Sequence, residues 1–318
     1  MSSGAVARAW LPRLWGAVPW CRVFRGPVFC GDFILLGGLV AVSAGLLGCG
    51  GGAALLHPAQ TLPVDTVSIG AGVSGQFGSS GVNTTIENGQ SAASQPLSEP
   101  ASATAYAEGV LTQALIAPGA SPWVSARAGL AGNNEAGLTY TGRSLRLDGR
   151  HAWDLSDDWT LSLGLGASGI LLRPDRSAPE SASAADTPSS AQAEFEPSAR
   201  GFGADVPLLF GYRLLEGFGD VWFGPRLGFE HLSGSLELNQ QAPTSAHLEL
   251  TGNHFWGGLL AGFSLGIPPL WLRFELATAY HHLSGDLTPS GTGGGPDFDA
   301  LEASGWTFSP SGAIVGKF

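Results

Sequence analysis

The chain has 318 residues, 48 of them Gly, with 44% hydrophobic residues, only 13% charged residues and a formal net charge of −11. That length allows one large or two ordinary domains, and the low charge and heavy glycine content do not fit an average cytosolic enzyme. Lys and Arg number 15 against 26 Asp and Glu, with Lys317 the only lysine, so there is no basic stripe and nucleic acid is not expected as a partner.

Residues 1–32 carry Arg8, Arg13, Arg22 and Arg25 against one acid, Asp32, and an uncharged run from Phe33 to Gly48 follows. A basic region before a short apolar segment ending in small residues is the pattern of an export signal. The run stops at Leu46-Leu47-Gly48-Cys49, which resembles a bacterial lipoprotein signal (lipobox). The resemblance implies cleavage before Cys49 and acylation of that residue. Gly50, standing where inner-membrane-retained lipoproteins often carry Asp, points the resemblance to the outer membrane. An uncleaved anchor is the alternative, because the uncharged stretch continues through Leu55-Leu56 and reaches the length of about 20 residues that spans a bilayer. The other cysteines, Cys21 and Cys30, lie within the leader, so removal up to Cys49 leaves one thiol and no internal disulfide. The expected organisation is a leader over 1–48, a lipid-anchored linker over 49–65 and a single domain over 66–318.

From residue 67 onward, stretches of about ten residues alternate apolar with small or polar side chains. Along Trp159–Leu171 the odd positions are mostly Trp, Leu and Ala while the even ones are Ser, Thr and Gly. Leu145, Leu147, Trp153 and Leu155 share a face opposite Arg146, Asp148, Arg150 and Asp154. This period of two predicts strands over 67–77, 121–131, 135–142, 144–155, 159–173, 200–215, 221–234, 253–267, 270–284 and 305–318. At 142–144 the apolar phase shifts, which a tight turn or a bulge explains equally well. Tyr106–Leu115 is ambiguous, and Tyr106, Val110, Leu111, Ala114 and Leu115 fit a short helix within the first long connection.

A β-sandwich sends its apolar face to a core, and a transmembrane barrel sends it to lipid. Three features favour the barrel. The terminal strand, Trp306 to Phe318, closes on an aromatic and resembles the C-terminal signal by which bacterial outer-membrane β-barrels engage the barrel-assembly machinery. Short turns, such as 156–158 and 268–269, alternate with long connections at 78–120, 174–199, 236–251 and 285–304. Tryptophans stand at strand ends, Trp153, Trp159, Trp222 and Trp271 by the short turns and Trp123, Trp256 and Trp306 by the long ones, as interfacial girdles require. The body therefore resembles small outer-membrane β-barrel proteins, without a narrower family. The expectation is an all-β, antiparallel transmembrane barrel of about ten strands (range about eight to twelve), in contact with the lipid bilayer and anchored on the periplasmic side.

With the apolar face outward, the inward charges are Arg127, Arg146, Arg150, Arg213, Arg226 and Arg273 against Glu135, Asp148, Asp154, Asp205, Glu230 and Glu275. Their balance predicts a packed network and a closed lumen rather than a selective conduit. A structural or surface-interaction role follows, with recognition in the long loops. A narrow channel for small solutes is one alternative. A lipid hydrolase is another, because His231-Leu232-Ser233 and His282-Leu283-Ser284 place a base and a nucleophile two apart on one strand face. That spacing resembles outer-membrane lipid A deacylases, but Gly285 stands where their pattern continues with Asn-Ala, so His282 and Ser284 are weak candidates and no enzyme is expected. The glycine-rich matches at 70–75 and 164–169 and the Gly262-Phe263-Ser264-Leu265-Gly266 match to a nucleophile elbow lie mid-strand, where neither a dinucleotide nor a catalytic turn can form. His281 and His282 are adjacent and face opposite sides, so no metal or other cofactor is expected.

Overall fold

The computed structural model describes residues 52, 54–95, 100–171, 193–195, 200–214, 218–238, 246–289 and 300–318. Cys49 and the whole leader lie outside them.

Ten long strands form one antiparallel sheet closed on itself: β1 (Val67–Gly78), β2 (Gly119–Leu130), β3 (Asn134–Tyr140), β4 (Ser144–Asp154), β5 (Trp159–Leu171), β7 (Arg200–Leu214), β8 (Gly219–Leu238), β9 (Ala246–Ile267), β10 (Leu270–Pro289) and β11 (Leu301–Lys317). A three-residue strand, β6 (Ala193–Phe195), adds only to Leu236–Leu238 of β8. Sequential neighbours pair throughout, β8 pairs β9, and the ring closes where Ser68 of β1 faces Lys317 of β11. Phe318 fastens the seam at its end, donating its N–H to the Val67 carbonyl and accepting the Val67 N–H in return.

The alternation is that of a protein turned inside out. Along β4 the outward Leu145 and Leu147 are 45% and 63% exposed, whereas the inward Arg146, Asp148 and Arg150 are 5%, 5% and 6% exposed. Outward Val, Leu, Ile, Phe and Trp continue around every strand of the ring. A soluble sandwich would bury these residues and solvate the arginines, so that reading is excluded. The belt spans about ten residues of tilted strand, roughly 25 Å.

The turn at 141–143 resolves the phase shift noted in the sequence. Gly142 has φ +80 and Thr141 donates its N–H to the Ser144 carbonyl at 3.0 Å, so β3 and β4 are two strands joined by a tight turn and not one bulged strand. A Cβ at Gly142 would also meet that of Ser121 at 2.8 Å.

Two expectations change. The tryptophans do not form two girdles: Trp153, Trp159 and Trp306 face outward, but Trp123, Trp222 and Trp271 are buried inside and Trp256 also takes the inward phase. Trp123 donates to the Ala54 carbonyl, Arg226 lies over the Trp256 ring, and Lys317 lies over the Trp271 ring. Position at a strand end says nothing of parity, and parity decides the side.

The connection at 78–120 is largely helical. It holds α1 (Ser80–Ala92) and α2 (Pro100–Ile116), the second of which contains the segment read as an ambiguous helix. Strands β8–β10 run 20, 22 and 20 residues, past the last outward aromatics Phe229, Phe255 and Tyr280. Together with β11 they raise a wall above the belt. On its inner face Leu232, Leu250, Leu283 and Leu301 pack with Val82 of α1 and Ala107, Leu111 and Leu115 of α2. This apolar core lies at the long-loop end. Leu111→Ala should cost about 2–5 kcal/mol, read as a lower temperature for loss of the compact, heat-modifiable form on gels.

Candidate functional site: the lumen

Inside the barrel the charged side chains form one alternating chain. Arg150 of β4 pairs with Glu135 of β3 at 2.8 Å, and Glu135 pairs with Arg127 of β2. Arg127 reaches Asp148 of β4 at 2.6 Å, and Asp148 binds Arg146 at 2.7 Å. Arg146 then meets Asp205 of β7 at 2.7 Å, and Asp205 holds Arg226 of β8 at 2.9 Å. Glycine on the facing strand makes the room: a Cβ at Gly166 would meet the Arg146 guanidinium at 2.4 Å.

Asp154 and Arg213 share the inward phase but stand exposed at the short-turn rim, outside this chain. Asp154 accepts hydrogen bonds from Asn133 and Thr160 instead. Strand ends open into water, and water replaces the partner that deeper residues need.

Nearer the long-loop end, Glu230 of β8 joins Arg143, from the 141–143 turn, at 2.9 Å and His254 of β9 at 3.0 Å. His254 Nε2 meets His281 Nδ1 of β10 at 2.8 Å, and His281 Nε2 meets Thr307 Oγ1 of β11 at 2.7 Å. A carboxylate can only accept here, so His254 donates to it from Nδ1, and the His254–His281 and His281–Thr307 contacts continue the relay across β9, β10 and β11. Arg143 also donates to the Leu115 carbonyl, tying the end of α2 to this relay. The relay borders a cavity of about 70 Å³ beneath α2, room for a few waters. Neither Arg143 nor the His254–His281 pair was anticipated. Arg143 was read as a turn residue, and extending the inward phase of β10 from Arg273 and Glu275 would have placed His281 inside.

Toward the short turns the lumen holds the chain's own residues 52 and 54–62, which precede β1. Glu275 accepts the N–H groups of Leu55 and Leu56, both at 2.8 Å, and Glu135 accepts that of Leu62 at 2.8 Å. Arg273 donates to the Leu56 carbonyl, and Arg150 to the carbonyls of Pro58, Ala59 and Gln60. Leu55 and Ala59 pack against Trp222 and Leu209 of the wall. A stretch expected to act as a linker is a buried part of the interior. Its only visible trait in sequence is a lack of charge, which does not announce a lumen filling.

No protein-family model matches the chain, and no curated protein matches it. Solved structures similar to it include a major outer membrane protein from Thermus thermophilus, 15% identical over 62% of this chain and 98% of that one with a TM-score of 0.30. Neisserial surface protein A is 10% identical, over 80% and 96% of the two chains, with a TM-score of 0.28. Ail, the attachment invasion locus protein of Yersinia pestis, is 10% identical over 80% and 100%, with a TM-score of 0.23. Likeness this slight carries no function, and the assignment rests on the closed sheet, its apolar outer belt and its polar, filled interior. The fold is that of an outer-membrane β-barrel.

On this barrel the His-x-Ser motifs face away from the lumen. His282 is exposed on the outer face of β10 with Ser284 on the same face, whereas Glu230 and Glu275 lie inside, across the wall. Neither acid can orient the His282 imidazole. His231 takes Asn253 as partner at 2.9 Å and lies against Phe202. His281 and His282 face opposite sides, and among the described residues no group of three or more His, Cys, Asp or Glu is placed to hold a metal ion.

Removing Asp205 takes from Arg146 one of its two carboxylates and from Arg226 the carboxylate bound to it, in the buried interior. Asp205→Ala should therefore destabilise the barrel by about 3–5 kcal/mol, while Asp154→Ala at the rim should cost no more than about 1 kcal/mol. Denaturant unfolding in vesicles, read by tryptophan fluorescence, distinguishes the two.

Proposed function

We propose that the protein is a structural or surface-interaction barrel of the bacterial outer membrane whose lumen carries no solute. The observation that supports this most is that residues 54–62 fill the lumen toward the short turns, the charge chain crosses its middle and the α1–α2 core lies toward the long loops, leaving a cavity of about 70 Å³ beneath α2. In this reading the short turns face the periplasm and the long-loop end faces outward. The helical hairpin and the raised wall then form the protein's outer surface, together with the loops near 174–199, 236–251 and 285–304, much of which lies outside the described residues. Recognition belongs there, and catalysis by His282 and Ser284 has no part in it. Phe318, at the seam, is the contact for the assembly machinery. Purified protein in planar bilayers should give no stable unitary currents, and neither should a variant lacking residues 80–116, because residues 54–62 and the charge chain stay in the lumen. Stable currents from the intact protein would return the function to solute transport.

Lipid attachment at Cys49 belongs to the same reading and is supported by Leu46-Leu47-Gly48-Cys49 alone. Gly52 constrains it: its carbonyl accepts from Ser74 inside the barrel, and three residues reach about 10 Å at most. An acyl chain in the inner leaflet therefore requires the residues around Gly52 to leave the lumen. Labelled palmitate should enter the wild-type protein and not Cys49→Ser. Absence of label from the wild type would remove the anchor and leave the occupied lumen intact.

A further inference from the structure

The way residues 52–62 are held differs from ordinary core packing. The wall grips their main chain: the N–H groups of Leu55, Leu56 and Leu62, and the carbonyls of Gly52, Ala54, Leu56, Pro58, Ala59 and Gln60. The wall groups that do this are Ser74, Trp123, Glu135, Arg150, Arg273 and Glu275. The polar side chains of the segment receive nothing comparable. His57 Nε2 and both side-chain heteroatoms of Gln60 are buried without a hydrogen-bond partner, and His57 Nδ1 meets only the neighbouring Pro58 carbonyl. Peptide groups are common to every sequence, so these bonds by themselves do not select side chains. Leu55, Leu56 and Ala59 contribute apolar burial, and no residue from Gly52 to Val64 is charged.

We propose that the short-turn half of the lumen is a peptide-binding site that reads main chain, with residues 52 and 54–62 as its resident occupant and an uncharged peptide able to follow the same bent course, turned at Leu56 with φ +50, as its ligand class. The inference rests on the lumen being occupied by this segment and does not depend on the barrel being non-conducting. Two charges of the wall are committed to the occupant. Glu275 takes two consecutive N–H groups as an acceptor pair, and Arg150, whose carboxylate partner Glu135 is shared with Arg127, spends its remaining donors on three carbonyls. Such charge-assisted bonds to amides are each stronger than neutral ones. Released from the segment, these groups would present the same donors and acceptors to any uncharged peptide that takes the same bent course between them.

The test uses the full chain with a protease recognition sequence placed between Val64 and Asp65, both exposed at the mouth. After folding into vesicles and cutting, the segment is held without a covalent link, and its retention is followed by mass spectrometry of the washed protein. Competing peptides are then added: residues 52–64 themselves, a scrambled uncharged peptide of the same composition, the scrambled peptide with two Glu added, and residues 52–64 N-methylated at Leu55, Leu56 and Leu62. The scrambled peptide should displace the segment at concentrations within about tenfold of the native one. The N-methylated and charged peptides should each need at least about tenfold more than their parent peptides. In Glu275→Gln the segment should dissociate at least about tenfold faster, and the N-methylated peptide supplies the same information should that variant not fold. Displacement by the native sequence alone, equal competition by the N-methylated peptide, or a cut segment that no peptide displaces would each overturn the proposal. A failed exchange together with silent bilayers would leave the closed barrel standing and remove only the peptide site.

Discussion

The structure depends on one constraint: a chain surrounded by hydrocarbon must satisfy every peptide group from within itself. A sheet does this only when it closes, and closure fixes much else. Each strand has one face toward lipid and one toward the interior, so alternate residues face opposite solvents. The outward face is satisfied by burial in lipid and needs no partner. The inward face carries Arg127, Arg146, Arg150, Asp148 and Asp205 in a space too narrow to hydrate them freely, and these residues have paired into an unbroken chain across β2, β3, β4, β7 and β8.

Sequence patterning shows those parts of the molecule that depend on parity within one strand. The ten strands fall where expected because a period of two is a local signal, although β8 to Leu238, β9 from Ala246, β10 to Pro289 and β11 from Leu301 extend beyond the expected bounds at the long-loop end, and ten of the twelve expected inward charges are inside for the same reason. The tryptophans misled where strand-end position was used in place of parity: Trp123 alternates with the outward Val124 and so had to point inward. Helix α1 left no trace because its sequence is polar on nearly every side, with Val82 and Ile86 supplying the little apolar surface that meets the core. α2 carries small and apolar residues on most sides, with Glu108 and Gln113 among them, so its sequence shows little difference between faces by which to read its orientation.

The pairing of Glu230, His254 and His281 was hidden for a different reason. Each belongs to a different strand, and their register is set by the closure of the ring. Glu230 faces His254 in the β8–β9 ladder, while His254 and His281 approach each other from β9 and β10. Spacing along one strand instead drew attention to His282 and Ser284, which are close in sequence and lie on the wrong side of the wall. Chemistry inside a barrel is assembled across strands, so proximity in sequence is a poor guide to it.

Residues 52–62 and the charge chain are best understood as one unit. Glu135 is shared by Arg127 and Arg150, so one carboxylate serves two guanidinium groups and Arg150 is left with donors to place. Arg273 has no carboxylate partner in an ion pair among the described residues and donates to the Leu56 carbonyl. Glu275 likewise has no cation bound to it there, and takes amide N–H groups and the Trp222 indole instead. A lumen built only from the ten strands would therefore leave cations and carboxylates short of partners in a poorly hydrated space, each at a cost of several kcal/mol or with water drawn in to compensate. The main chain of the segment supplies carbonyls to the cations and N–H groups to the carboxylates. It can serve both signs because a peptide group carries both a donor and an acceptor, which no single charged side chain does. That is the physical reason an uncharged segment, and not another salt bridge, fills the short-turn half of this barrel.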